Sequence, residues 1–235
     1  LINRAISLFN QGQIKRSLKE ALVAKKKYPN EPFIYNLLGV LYAQTEDYET
    51  SIKSYTKAIK LNPNYFEAYN NIGVAYTSWK KNNKAIEFFN RAIQIKPSYP
   101  EAYNNKGNAL KEKGEYKLAI ECYHQSIKLH PNYIDAIINL GIVANLEQDF
   151  TVSERYFQQA LSLDPTNISV LYNLANCLFN VEDFKQSIKV CQKIINIDPS
   201  FHFAYNRIGL CYIQLENQEE AKVYFEKAVN EKPDY

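Results

Sequence analysis

The sequence predicts an all-α protein built as a solenoid of stacked antiparallel helix pairs, and three observations support this fold class. Prolines recur with a step of 34 residues along the 235-residue chain. Glycine or alanine keeps the same step, and so do two further positions that are small in nearly every copy. A fixed period of this length is typical of proteins that stack one helical unit many times. The periodic prolines are Pro29, Pro63, Pro97, Pro131, Pro165, Pro199 and Pro233, and the glycine position reads Ala5, Gly39, Gly73, Gly107, Gly141, Ala175 and Gly209.

Each copy contains two apolar stripes with helical spacing. In residues 66–99 the first stripe includes Gly73 and the second includes Phe89, with a polar break between them. Apolar residues at i, i+4 and i+7 share one face of a helix, so we expect two helices joined by a short turn. The residue after each periodic proline is a good N-cap, so each junction is expected to end one helix and start the next. These residues are Asn30, Asn64, Ser98, Asn132, Thr166, Ser200 and Asp234.

The repeats predict one continuous array rather than several globular domains, because each unit of a solenoid contacts only its neighbours. We therefore expect a single solenoid over residues 1–235. Its repeats are predicted at 1–31 (partial), 32–65, 66–99, 100–133, 134–167, 168–201 and 202–235.

Composition argues against several classes of function. The net charge is only +3, from 28 basic and 25 acidic residues, so no strong field favours nucleic acid or an anionic membrane. No apolar run is long enough to span a bilayer. The four cysteines are expected to be buried free thiols, which favours a reducing compartment and a cytoplasmic location. Glycines follow the repeat and histidines show no metal-ligand spacing, so we expect no catalytic residue, metal or cofactor, and no enzyme activity from these residues.

The order of residues within a copy resembles the tetratricopeptide repeat. It runs aromatic, apolar, glycine, aromatic, small, aromatic, alanine and proline, and the resemblance covers the whole chain. It implies a right-handed superhelix that serves as a protein-interaction scaffold and binds a peptide or partner segment in its concave groove. In the third copy the residues that carry the resemblance are Tyr69, Ile72, Gly73, Tyr76, Ala85, Phe89, Ala92 and Pro97.

The position two residues before the glycine is the candidate binding position, because it points away from the core stripe of the first helix. Asparagine, a mediocre helix former, occupies it in five of seven copies. Its amide matches the donor and acceptor of a peptide unit, so a ladder of amides could hold an extended backbone, with each hydrogen bond contributing about 1 kcal/mol. The ladder residues are Asn3, Asn71, Asn105, Asn139 and Asn173, interrupted by Leu37 and Arg207, and Asn108, Tyr172, Asn176 and Arg207 are expected to add specificity. Asn36, Asn70, Asn104 and Asn206, one residue earlier, are expected near the groove rim as weaker candidates.

Several alternatives remain open. The asparagines could bond adjacent helices and serve only the fold. The ladder also resembles the repeat arm of O-linked N-acetylglucosamine transferases, in which asparagines at this position hold the substrate peptide, and this implies a substrate-recruiting arm of a larger enzyme. Arg207 beside Asn173 suggests a clamp for a chaperone tail, but Ile138, Ser169 and Phe203 stand where basic residues should be. An architectural scaffold that binds partners through its other surfaces is a further alternative.

Two features depart from the pattern of the copies. Lys106 stands where five other copies have leucine or isoleucine, so its stem is expected to lie along the apolar seam with its ammonium group toward water. The last helix is expected to present Phe225, Ala228 and Val229 outward. Because repeat arrays need polar caps, we expect end-to-end self-association at high concentration.

Overall fold

The computed structural model describes residues 1–232, and within them every regular element is an α-helix. The predicted all-α class is therefore confirmed for this part of the chain. Pro233 and the expected cap Asp234 lie outside the described residues. The helices are α1 (Ile2–Asn10), α2 (Ile14–Lys27), α3 (Pro32–Gln44), α4 (Tyr48–Leu61), α5 (Phe66–Ser78), α6 (Asn82–Ile95), α7 (Pro100–Glu112), α8 (Tyr116–Leu129), α9 (Ile134–Leu146), α10 (Phe150–Leu163), α11 (Ile168–Asn180), α12 (Phe184–Ile197), α13 (His202–Gln214) and α14 (Gln218–Glu231).

The helices fall into two compact units, α1 to α8 in residues 1–131 and α9 to α14 from residue 132 onward. In each unit an odd-numbered helix and the even-numbered helix after it form an antiparallel pair. In the second pair, for example, Gly39 of α3 lies against Tyr55 of α4, while Tyr35, one turn earlier, lies against Ala58, one turn later. Each predicted repeat range holds one such pair. The repeat boundaries themselves stay a prediction.

The glycine position allows the two helices of a pair to cross closely. A Cβ on Gly73 would lie 2.5 Å from the ring of Phe89, and the other four helical glycines face an aromatic ring in the same way. Where the position holds alanine instead, the residue 16 positions later is small, as in the pairs Ala5 with Ala21 and Ala175 with Cys191. The close approach expected from the sequence is therefore present, and the two contacting positions vary together.

A buried serine adds a hydrogen bond to four of the helix pairs. The Ser51 hydroxyl donates to the carbonyl oxygen of Gly39 at 2.8 Å, and Ser187 donates to that of Ala175 at 2.8 Å. Ser17 and Ser153 make the same bond in their pairs. The small residue predicted at this position thus also ties one helix to the other.

The turn inside each pair requires a residue in the left-handed region. This position holds Gly12 and Gly114, with φ of +72° and +77°, in two copies. In the other five it holds Glu46, Lys80, Gln148, Glu182 or Glu216, with φ between 57° and 63°. The two glycines outside the helical position are therefore explained by the backbone of this turn.

The predicted N-caps at the junctions are wrong by one residue. The odd helices after the first begin one residue later than expected, so their caps are Glu31, Tyr65, Tyr99, Tyr133, Asn167 and Phe201. In the three junctions with Asn or Asp before the proline, the residue after the proline instead donates its backbone N–H to that side chain. Ser200 donates to Asp198 Oδ1 at 2.9 Å, and Thr166 donates to Asp164 Oδ1 at 3.2 Å. This Asx turn uses the junction residue before the helix starts.

Within each unit, every odd helix after the first also covers the even helix before it. Ile72 and Ala75 of α5 pack on Tyr55 of α4, and Ile208 and Cys211 of α13 pack near Cys191 of α12. This packing places the odd helices next to one another, so α3, α5 and α7 adjoin in the first unit and α9, α11 and α13 in the second. Their adjoining side chains form the surface on which the predicted ladder lies.

Candidate functional site

The ladder positions lie along one surface of the odd helices in each unit. We define this odd-helix face by the ladder position and the position three residues later. Among the ladder residues Asn3 is exposed, Leu37 is buried, and Asn71, Asn105, Asn139, Asn173 and Arg207 are half-buried. In the first unit the face comprises Asn3, Ile6, Leu37, Val40, Asn71, Val74, Asn105 and Asn108, and in the second unit Asn139, Ile142, Asn173, Asn176, Arg207 and Leu210.

Ladder amides of the first unit are bonded to asparagines of the preceding odd helix. The Nδ2 group of Asn71 donates to Asn36 Oδ1 at 3.1 Å, and that of Asn105 donates to Asn70 Oδ1 at 3.1 Å. Asn70 and Asn104 are only 6% and 4% exposed, so the expectation that they lie at the rim is wrong. Asn70 is buried because α7, the next odd helix, covers it. The structural role of the asparagines, left open by the sequence, is therefore present in this unit.

The paired amides keep part of their hydrogen-bonding capacity. Asn71 uses one of its two N–H donors on Asn36, so its second N–H and its Oδ1 remain for another partner. Asn71 also lines a depression of about 370 Å³ between α3 and α5, together with Val40 and the exposed Val74. A polypeptide lying on this face could therefore still reach the ladder amide.

In the second unit, the ladder residues Asn173 and Arg207 have no asparagine opposite them on the preceding odd helix. The position before the ladder residue holds Ile138 in α9 and Tyr172 in α11, and neither side chain offers an amide oxygen to the next helix. In the described part of the chain the Asn173 side chain makes no hydrogen bond. The Tyr172 ring instead lies 5.5 Å from that of Phe201 and 6.0 Å from that of Phe203, measured between centroids. The face thus changes from paired amides in one unit to an unpaired amide beside aromatic rings in the other.

Arg207 and Asn176 also carry unmet polar atoms in the second unit. The Arg207 guanidinium carbon lies 4.6 Å from the centroid of Phe179, which is one turn after Asn176 on α11. Arg207 Nε and Asn176 Oδ1 are both buried and have no hydrogen-bond partner. A buried polar atom without a partner costs about 1–3 kcal/mol. Among the predicted site residues, Asn176 and Arg207 therefore carry buried polar atoms that the described residues leave without a partner.

The other predicted site residues differ in what they can still bind. Asn108 Oδ1 accepts a hydrogen bond of 2.9 Å from the hydroxyl of Tyr123, a buried residue whose pKa is raised by its burial. Asn139 also has an interaction partner, so it is not a free amide. Asn3 stands exposed on α1. The ladder therefore does not act as a row of equivalent amides, and its resemblance to a transferase arm stays a hypothesis.

The sequence contained a signal for the amide pairs that the ladder interpretation missed. Asparagine doublets occur in consecutive copies, at residues 70–71 and 104–105, and the bonded residues are 35 positions apart. Because the doublet recurs with the repeat, the second asparagine of one odd helix lies opposite the first asparagine of the preceding odd helix. This spacing could have predicted hydrogen bonds between repeats rather than a row of amides that are all free to bind a peptide.

The described residues, 1–232, contain no cluster of three or more His, Cys, Asp or Glu side chains that could hold a metal ion. The cysteines are free and buried, as expected, and burial raises the pKa of the Cys191 thiol to about 12. Within the same residues, no helix has the length and hydropathy needed to cross a membrane.

The outer face of the last described helix carries apolar residues among polar ones, but one of the expected residues is not on it. Ala228 is buried inside its own helix pair, so the sequence placed it wrongly. Phe225, Val229 and Ile213 line a depression of about 490 Å³ on this face. Val229 is 46% exposed.

Protein-family models match most of the chain. A model described as "TPR repeat" matches residues 39–78, and models described as "Tetratricopeptide repeat" match residues 66–99, 100–133, 144–208 and 204–235. A search of curated proteins finds no match.

Solved structures share the fold at low sequence identity. The crystal structure of YrrB, a TPR protein with an unusual peptide-binding site, is 24% identical with a TM-score of 0.64, and the match covers 78% of this chain and 95% of that one. PilF of Pseudomonas aeruginosa is 19% identical with a TM-score of 0.74, covering 87% of this chain and 93% of that one. The Cut9–Hcn1 hetero-tetramer of the APC/C matches at 16% identity with a TM-score of 0.78. That match covers 98% of this chain but 46% of the other, so this chain spans about half of that length.

Proposed function

Since the chain belongs to the tetratricopeptide-repeat proteins, we propose that it is a non-catalytic scaffold that binds an extended segment of a partner protein along its odd-helix faces. A repeat scaffold of this kind is suited to protein–protein interaction. Peptide binding is named for YrrB, a protein of the same fold, and this supports the proposal by analogy.

The observation that carries the proposal is the set of unmet hydrogen-bonding groups on α11 and α13. Asn173 makes no side-chain hydrogen bond within the described residues, and Asn176 Oδ1 and Arg207 Nε are buried without a partner. A peptide backbone supplies N–H donors for the Asn173 amide oxygen and carbonyl acceptors for the amide and guanidinium N–H groups that remain accessible. We therefore place the main binding contacts in the second unit.

The chemistry around these groups defines the segment that fits. Tyr172 and the exposed Phe203 offer apolar contact area. Arg207 carries a positive charge, and no carboxylate of the described residues lies within ion-pair distance of it. An extended segment with an apolar residue near Tyr172 and an acidic residue near Arg207 therefore complements this face.

A peptide-array screen of the 235-residue chain tests the proposal. Each net hydrogen bond contributes about 1 kcal/mol, so Asn173→Ala and Asn176→Ala should each weaken a bound peptide about five-fold. Arg207→Leu should weaken acidic peptides more than neutral ones. Asn196→Ala, an exposed asparagine on α12, is the matched control and should leave binding unchanged.

The wider ladder is tested by the double variant Asn105→Ala, Asn139→Ala. If partner recovery is unchanged in this variant and in the variants of α11 and α13, the odd-helix faces do not bind the partner. The alternative of an architectural scaffold would then stand.

The state of the cysteines bears on location. All four are unpaired, and a reducing compartment keeps thiols in this state. We therefore propose an intracellular protein. Labelling of the four thiols in the protein taken directly from cells should find them reduced, and a disulfide there would contradict the proposal.

A further inference from the structure

A cleft opens in the first unit between the even helices α6 and α8, with α7 as its floor. Its volume is about 420 Å³, within the range of sites that bind small groups. Its lining includes Lys106 and Leu110 of α7 and Leu118, Glu121 and Cys122 of α8. No ladder asparagine lines it, so it is separate from the odd-helix face. We refer to it as the Lys106 cleft.

A comparison with the preceding repeat explains why this cleft is open. The equivalent furrow between α4 and α6 contains three aromatic side chains, Tyr76, Trp79 and Phe88. The ring centroids of Tyr76 and Phe88 are 5.5 Å apart, and those of Tyr76 and Trp79 are 6.3 Å apart.

The Lys106 cleft has smaller side chains at those positions. Adding 34 residues to the three aromatic positions gives Leu110, Lys113 and Cys122, none of which has a ring. The second unit has aromatic side chains at the positions equivalent to Leu110 and Cys122. These are Tyr212 and Tyr224, whose ring centroids stack 5.6 Å apart. The missing rings therefore account for the space in the Lys106 cleft.

The floor and rim of the cleft carry charges that the protein leaves unpaired. Lys106 replaces a residue that is fully buried one repeat earlier, Ile72. In the described part of the chain no carboxylate lies in ion-pair range of the Lys106 ammonium group, although Glu87 and Glu121 stand at the rim. Of the other charged lining groups, Lys113 and Glu115 are bonded to each other at 2.5 Å.

An exposed apolar residue completes the rim. Leu118 is 48% exposed, and the equivalent residue of the preceding repeat is a lysine, Lys84, whose ammonium group lies 5.6 Å from the ring of Tyr76. In that furrow the protein thus combines a ring with a cation. In the Lys106 cleft the cation is present and the ring is missing.

We propose that the Lys106 cleft binds an aromatic side chain of a partner protein, with its ring over Lys106 and a neighbouring basic group facing Glu87 and Glu121. The ring occupies the volume that Tyr76 and Phe88 fill in the preceding repeat. The ammonium group of Lys106 is attracted to the face of the ring. The two carboxylates at the rim favour a basic rather than an acidic neighbour.

Three small probes with the same phenol ring test this proposal in the intact chain. p-Cresol, tyramine and 4-hydroxyphenylacetate differ only in carrying a neutral, positive or negative tail. In NMR titrations we expect shifts confined to residues 83–90, 106–113 and 118–122, with tyramine binding most tightly and 4-hydroxyphenylacetate least. No binding of any probe at 20 mM (on the order of the weakest affinities such fragments show), or the reverse order of affinity, would overturn the proposal.

Two variants test whether the ring lies inside the cleft and over Lys106. Cys122→Phe introduces the residue found at Phe88 and should abolish probe binding by closing the cleft. Lys106→Ile restores the residue found at Ile72, so it should fold well and weaken p-cresol roughly two- to five-fold by removing the cation beneath the ring. Unchanged p-cresol affinity in Lys106→Ile would overturn the placement of the ring.

The control variant is Asn173→Ala, on the odd-helix face of the second unit. It should leave probe binding unchanged. Failure of the Lys106 cleft to bind would leave peptide binding on the odd-helix faces standing, and the reverse also holds, because the two surfaces share no residue.

Discussion

The ring of Phe89 occupies the space into which any side chain at Gly73 would project, since an added Cβ would lie 2.5 Å from a ring carbon. Phe89 is fully buried. We expect Gly73→Ala to lower the free energy of unfolding by about 1–3 kcal/mol, although alanine is the better helix former. Urea denaturation measures this loss.

A double-mutant cycle checks the cause of that loss. The chain itself pairs Ala175 with Cys191 at the same two positions, so Phe89→Cys should make room for an alanine at Gly73. In the Phe89→Cys background, Gly73→Ala should cost much less than in the natural chain. Equal costs in both backgrounds would mean that the contact with Phe89 is not the reason.

The helical pairs could be predicted because the same physical constraint acts on every copy. A glycine is required where an aromatic ring crosses the first helix, and the five copies with this combination reveal both positions without any coordinates. The junction caps were predicted one residue early, since an Asx turn and an N-cap favour the same residue types. Only the backbone decides between these two uses of Ser200 or Thr166.

The candidate site was less predictable because it depends on contacts between repeats. The sequence identified Asn71 and Asn105 as ladder residues, but periodicity alone does not say which asparagine is covered by the next helix. The burial of Asn70 follows from the packing of α7 beside α5. Asn173 has no amide partner because Ile138 breaks the amide pattern, and a pattern averaged over copies hides such exceptions.

The bond between Asn105 and Asn70 leads to a second prediction. Asn105→Ala leaves the buried Oδ1 of Asn70 without its donor, so we expect a loss of about 1–3 kcal/mol in the free energy of unfolding. Asn173→Ala, which removes no hydrogen bond, should cost far less. Urea denaturation of both variants measures the difference.

The control for this prediction replaces the buried asparagine by the apolar residue that the second unit has at the equivalent position. Asn70→Ile copies Ile138 and removes the buried acceptor, so adding Asn105→Ala to it should cost little more. A large further loss in the double variant would show that Asn105 stabilises the fold through packing. Peptide affinities of Asn105 variants should therefore be measured where the protein remains fully folded.

Cys191 predicts a dependence of stability on alkaline pH. Burial raises the pKa of its thiol to about 12, so the folded state favours the neutral form. The stabilisation from this group is complete below the unfolded pKa, which is about 8.5, and is lost as the pH rises toward 12. We expect the free energy of unfolding to fall by about 1–2 kcal/mol between pH 7 and pH 10 from this group alone.

Comparison with Cys191→Ala isolates the thiol from tyrosines that also titrate at high pH. Alanine is the residue that the first copy uses here, at Ala21 opposite Ala5. The variant should be less stable at pH 7, but its stability should decline less steeply with pH. Parallel curves for the two proteins would contradict the assignment.

The outer face of α14 predicts association between two copies through this face. Phe225 is half-buried, whereas Phe89, at the same position of α6, is fully buried because α7 packs on it. In later copies, certain positions of the first helix pack on the preceding even helix. In the first copy these positions hold Arg4, Ser7 and Gln11, which are polar and exposed. Because an apolar face gains little from a polar one, we propose contact between two α14 helices rather than between α14 and α1.

Sedimentation equilibrium of the 235-residue chain distinguishes these arrangements. We expect a concentration-dependent dimer, with Val229→Lys weakening association at least ten-fold because it places a charge in the apolar contact. Arg4→Glu should leave the dimer unchanged, and a loss of association in this variant would indicate contact through α1 instead. A chain that stays monomeric at millimolar concentration would contradict self-association through either face.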